Sequence, residues 1–186
     1  MSRRPQQRIE DGWLRGARRL PSPNANGRPE GCPVDLLVIH NISLPPGEFG
    51  SSHVAQLFCN TLDCTEHPWF ERLRGLEVSA HLLIARNGAI TQFVPFHARA
   101  WHAGASVFEG RANCNDFSIG IELEGTDEMP YTDAQYEALV PVTRALMREF
   151  RGISLGRIVG HSDVAPGRKT DPGAAFDWNR YRRALR

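Results

Sequence analysis

One short stretch, residues 34–40 (VDLLVIH), limits the fold more than any other. A strand-length apolar run without polar alternation has to be covered on both faces, so it belongs inside a sheet with layers packed on either side. Its last residue, His40, stands at the carboxyl end, where open α/β sheets place their ligands. Further strands are expected at 78–85 (VSAHLLIA) and 89–94 (AITQFV), joined through Arg86-Asn87-Gly88. An Asn-Gly pair between apolar runs signals a type I′ hairpin, so the sheet turns antiparallel there. In 118–123 (SIGIEL) the alternation sets Ile119, Ile121 and Leu123 on one face and Glu122 on the other. Ile158-Val159 is a last short strand delivering His161.

Helices interleave with these strands. Residues 132–150 open with a capping box, Thr132-x-x-Gln135, and carry an apolar stripe of Tyr136, Leu139, Val140, Thr143, Leu146, Met147 and Phe150. Pro141 falls inside the stripe at roughly 3 kcal/mol in a helix interior, which predicts a kink or two helices. A short helix is expected at 52–59 and a C-terminal one at 177–185, capped by Asp177. The 41–75 segment, opened by a Pro-Pro-Gly loop, is long enough to serve as a lid. The expected class is α/β (α+β), a single domain with a central mixed sheet flanked by helices. Residues 1–30, rich in Pro, Asn, Gly and Arg with Trp13 and Leu14 as anchors, form an arm packed on or frayed from the domain at 31–186.

The 22 basic and 21 acidic residues give a formal charge of +1, too little to recruit a nucleic-acid backbone or an anionic membrane. Arg3, Arg4 and Arg8 make a basic start, yet no apolar run of export length follows, and a cytoplasmic, monomeric protein is expected. Its four cysteines (Cys32, Cys59, Cys64, Cys114) are then reduced thiols. Cys59 and Cys64 have half of a zinc-knuckle spacing, but no second pair completes it.

The densest chemistry lies in 160–173 (GHSDVAPGRKTDPG), where Pro166 and Pro172 forbid a helix across the segment and enforce a stiff loop. Of seven histidines, His53, His67 and His97 sit in polar or loop contexts. His81 reads as a satisfied core imidazole, and His102 in AWHAG as a residue that could line a pocket. His40 and His161 each end an apolar strand at a loop. With Asp171 they would give Zn²⁺ three ligands and leave the fourth position open, as catalytic sites do. Amide hydrolysis further needs a proton carrier and an oxyanion stabiliser, for which Glu122 and Lys169 are candidates. A polar surface turn around Asp163 and Lys169 is the alternative reading of the loop.

The segments VIHNISLPPGEFG (38–50), VSAH (78–81), AWHAG (100–104), NDFSIGIELEGTD (115–127), YTDAQY (131–136) and GHSDVAPGRKTDPG with FDW (160–178) resemble the zinc-dependent N-acetylmuramoyl-L-alanine amidases. The likeness is to the cytosolic, peptidoglycan-recycling members and runs from about residue 12 to 178. It implies a peptidoglycan-recognition-protein-like fold and one zinc per chain on His40, His161 and Asp171, with Glu122 and Lys169 catalytic. It also implies cleavage of the amide between the lactyl group of (1,6-anhydro)-N-acetylmuramic acid and the L-alanine of the stem peptide. Asn41, Trp101 and His102 would contact the anhydro-muropeptide substrate. The family arginines for the distal diaminopimelate carboxylate fall on Glu77 and Asn113, leaving Arg111 as a nearby substitute. Two rivals remain: a recognition module that binds muropeptide uncut, and a His-metal nuclease, which would want a basic face with aromatics.

Overall fold

The computed structural model describes residues 7–186, so Arg3 and Arg4 lie outside the described residues. The arm carries four two-residue strands: β1 (Ile9–Glu10), β2 (Trp13–Leu14), β3 (Arg18–Arg19) and β4 (Ala25–Asn26). Then come β5 (Leu36–Ile42), the short helix α1 (His53–Phe58), β6 (Leu82–Ile84), β7 (Ile90–Gln92) and β8 (Arg99–Ala100). A small hairpin of β9 (Val107–Phe108) and β10 (Arg111–Ala112) precedes β11 (Ser118–Glu124). The chain ends through α2 (Asp133–Glu149), β12 (Ile158–Gly160), α3 (His161–Val164) and α4 (Trp178–Leu185).

Six strands form one sheet in the order β12-β5-β11-β6-β7-β3, parallel throughout except for the antiparallel β6–β7 pair. The apolar run lands next to the centre, and every residue of its neighbour β11 is buried. Leu37, Ile39, Ile119, Ile121 and Leu123 join the cluster that α2 and α4 cover. On the opposite face Leu36 and Val38 pack with Ala103, Phe117, Val159 and Val164. That second face also carries His40 and Glu122, paired in register across β5 and β11.

Several expectations change. The β6–β7 connection is not a type I′ turn: Asn87 is not among the residues with positive φ, while Gly88 has φ +82°. Gly88 N–H donates to the Ala85 carbonyl at 2.8 Å and Ala85 N–H to the Ala89 carbonyl at 2.9 Å. This is a three-residue loop, a type I turn followed by a left-handed glycine. Helix α2 runs unbroken through Pro141. Its buried Tyr136, Leu139, Val142, Ala145 and Leu146 contribute about 1.5–3 kcal/mol for each larger side chain, which outweighs roughly 3 kcal/mol for the proline. The capping box is formed, with Gln135 N–H donating to Thr132 Oγ1 and Thr132 N–H to Gln135 Oε1. The 160–173 segment admits a one-turn helix, α3, because it ends before Pro166. The 41–75 segment is no bare loop: Leu44, Val54, Leu57, Phe58 and Phe70 form a cluster with Phe93 and Val94. Glu124 also fixes it, accepting from Gly50 N–H at 2.5 Å. Among the described residues no helix is long and apolar enough to cross a membrane.

Candidate active site

Parallel pairing sets β5, β11 and β12 side by side with their carboxyl ends together, and the site assembles there. His40 Nδ1 lies 3.0 Å from His161 Nδ1 and 3.0 Å from Asp171 Oδ2, and His161 Nδ1 is 3.1 Å from the same carboxylate oxygen. Both imidazoles are buried and the carboxylate is half-buried. His161 donates Nε2–H to the Ala103 carbonyl at 3.0 Å, which leaves its Nδ1 lone pair bare. Bare ring nitrogens and a carboxylate facing one another repel unless a cation lies among them, so His40, His161 and Asp171 fit a metal ion and could hold one.

Burial pushes the His40 imidazole down to about 4, against the opposing hydrogen bond to Asp171. Burial alone would raise Asp171, but the hydrogen bonds that His161 and His40 give it whenever their Nδ1 atoms carry a proton outweigh burial and hold the carboxyl below its usual range. Glu122 goes the other way: burial, then the charge of Asp171, push it well above the ordinary carboxylate range, with Lys169 opposing. Its Oε2 is buried without a hydrogen-bond partner, a group poised to take a proton.

A cleft of about 710 Å³ opens over these groups, lined by Asn41, Trp101, His102, Glu122 and Lys169 as well as His161 and Asp171. Asn41 Nδ2 donates to Asp127 at 2.8 Å, and the Trp101 indole N–H donates to Asn26 at 2.8 Å. Lys169 is exposed at the rim. The fold therefore brings nearly all the expected site residues together. Arg111 is the exception, because it is absent from the cleft lining and its guanidinium is already engaged. It pairs with Asp35 at 2.7 Å and stacks on Phe117 at 3.7 Å. His53, His67 and His97 stay outside the cleft, and His81 is the satisfied core imidazole expected, accepting from Gly120 N–H and bonded to the Ala98 carbonyl.

Asp163 accepts from Gly160 N–H at 2.8 Å and starts α3. The groups that hold the imidazoles are the Ala103 carbonyl and His102. Arg168 steadies that carbonyl, donating to it at 2.6 Å. Only the general AWHAG context marked this loop in the sequence, since a backbone acceptor leaves no side-chain signature.

The family model for N-acetylmuramoyl-L-alanine amidase matches residues 30–174. The chain is 58% identical to the 1,6-anhydro-N-acetylmuramyl-L-alanine amidase AmpD of Escherichia coli (strain K12), over 94% of each chain. A crystal structure of an AmpD selenomethionine derivative superposes with a TM-score of 0.93 at 54% identity, covering 96% of this chain and 99% of that one. The E. coli amidase AmiD, solved with anhydro-N-acetylmuramic acid-L-Ala-D-gamma-Glu-L-Lys, is 29% identical with a TM-score of 0.60, covering 96% of this chain and 65% of that one. With a family model matched over more than half of the chain and a relative 58% identical over nearly its whole length, the chain belongs to the N-acetylmuramoyl-L-alanine amidase family.

Proposed function

We propose that the chain hydrolyses the amide between the lactyl group of 1,6-anhydro-N-acetylmuramic acid and L-alanine, in peptidoglycan recycling, with one zinc ion per chain on His40, His161 and Asp171. The observation that carries this is the convergence of those three ligand atoms within 3.0–3.1 Å of one another beneath the cleft that Glu122 lines. A bound zinc would supply Lewis acidity, lowering the pKa of water to about 7 and polarising a carbonyl.

The chain's own groups supply the rest. Glu122, raised in pKa and unpartnered at Oε2, takes a proton from the attacking water and delivers it to the leaving amine as the C–N bond breaks. The Lys169 ammonium at the cleft rim stabilises the carbonyl oxygen as it becomes anionic. Asn41 and Trp101 line the path of the peptide and sugar. A cytoplasmic location is part of the proposal, supported by four free thiols, and a monomeric state is proposed with it.

Incubation with anhydro-muropeptide and mass spectrometry tests the reading: a free stem peptide beginning with L-alanine is expected. Asp171→Ala should lose both the metal and the product peak. Muropeptide bound but uncut by the zinc-loaded wild type would instead establish a recognition module.

A further inference from the structure

His102 does more than line the cleft. Its Nδ1 lies 2.9 Å from His40 Nε2, and its Nε2 lies 3.1 Å from Ser118 Oγ. The rings of His40 and His102 meet edge to face, with centroids 4.9 Å apart and planes at 83°. The loop carrying His102 is itself fixed, since Asn115 Oδ1 accepts from His102 N–H at 3.1 Å and Ala103 N–H at 2.8 Å.

Space for the imidazole comes from Gly120, between Ser118 and Glu122 on the site face of β11. A Cβ at that position would stand 2.4 Å from His102 Cγ and 2.6 Å from Nδ1, closer than non-bonded atoms approach. The glycine has no positive φ, so close approach rather than backbone freedom is what requires it.

Resting on the metal-site reading above, we infer that His102 is a positioning residue for the metal centre: held by Ser118 over Gly120, it accepts the Nε2–H of His40 and thereby leaves His40 Nδ1 bare towards the ion. The proton order follows from the contacts. His40 must keep its proton on Nε2 if Nδ1 is to be a ligand. His102 Nδ1 is then the acceptor, and its own proton sits on Nε2, donated to Ser118 Oγ. Ligand imidazoles commonly donate their second N–H to a carboxylate, carbonyl or water; His161 does so to Ala103, whereas His40 uses a second imidazole.

Chelator competition for zinc on purified wild type, His40→Ala, His102→Leu, His102→Asn and Gly120→Ala separates the possibilities. Removing the acceptor in His102→Leu should weaken zinc about 10–100-fold, the usual effect of losing such a partner. His102→Asn offers a carbonyl oxygen near the Nδ1 position and should recover most of the loss, which a purely space-filling role would not predict. Gly120→Ala should resemble His102→Leu. Nitrogen-15 imidazole spectra of the zinc-loaded wild type give a reading that needs no variant: His40 and His102 should both be protonated at Nε2.

A His102 ring protonated at Nδ1, or His102→Leu within about twofold of wild type while His40→Ala releases zinc, overturns the positioning role alone. Zinc binding unchanged in His40→Ala overturns the metal-site reading itself.

Discussion

At the scale of single residues, Glu122 is where stability and reactivity pull apart. Its side chain is only 8% exposed, and burial and Asp171 raise its pKa well above the ordinary value. A carboxyl raised on folding stabilises the native state fully below its unfolded pKa, near 4.5, and loses that contribution as pH rises towards the folded value. At pH 7 the wild type therefore holds a carboxyl in a place that disfavours its charge. Glu122→Gln keeps the shape and removes the charge. In metal-free protein it should raise stability at pH 7 by on the order of 1–3 kcal/mol, or about 2–4 °C per kcal/mol in a chain of this size. The gain should close as pH approaches 4. Turnover of the zinc-loaded variant should fall about 10²–10⁴-fold, the share general acid–base catalysis supplies. Melting curves at pH 7 and pH 4 check the first part, and identical melting at pH 7 would rule out the strained carboxylate.

At the scale of elements, one half-buried side chain ties the end of the arm to four backbone carbonyls. Arg28 donates Nη1–H to the carbonyls of Asn115 and Asp116, both at 3.0 Å, and Nη2–H to those of Phe96 at 3.2 Å and Ser118 at 2.9 Å. Burial lowers its pKa to about 10. A lysine has a point charge and three donors where the fork meets four carbonyls. Arg28→Lys should therefore cost about 3 kcal/mol by urea denaturation, from carbonyls left without donors. A loss under about 0.5 kcal/mol would mean that the guanidinium fork is not what holds this end of the arm. This latch also marks the limit of what could be read from the sequence. Strand β5, strand β11 and helix α2 were legible because their periodicity is local, and His40 and His161 because each ends an apolar strand; Asp171, in the loop after α3, was legible only through the 160–173 motif that carries the family resemblance. The arm strands were not, since two-residue pairings such as Arg18 with Thr91 and Ala25 with Ala100 have no local pattern. Arg111 misled because its partner, Asp35, lies 76 positions away. The support of His40 by His102 depends on a missing Cβ at Gly120, which only the packed sheet reveals.

At the scale of the whole molecule, the site makes the fold sensitive to acid. Burial holds three neutral imidazoles within one contiguous group: His40 at about 4, His81 at about 3 and His102 well below its usual value. A histidine depressed on folding gives stability that is present above its unfolded pKa of 6.5 and lost as pH falls towards the folded value. Glu122 acts in the opposite sense, since its burden lightens on acidification. Three imidazoles less one carboxyl leave roughly two protons taken up on unfolding, or about 2.7 kcal/mol per pH unit at 1.36 kcal/mol per proton. From pH 6.5 to 4.5 that removes about 5 kcal/mol from a total stability of about 5–15 kcal/mol, a large share lost in mild acid before most carboxylates titrate. Urea titrations of metal-free wild type at pH 7, 6 and 5 should show the free energy of unfolding falling steeply. His81 separates the fold's share from the metal site's, because it bonds Gly120 N–H and the Ala98 carbonyl and is not a metal ligand. In His81→Asn the amide oxygen replaces Nδ1 as acceptor and cannot titrate, so the slope should drop by about 1.4 kcal/mol per pH unit. A wild-type stability that is flat from pH 6.5 to 4.5 would mean that the buried imidazoles meet water or a counter-charge as soon as they protonate.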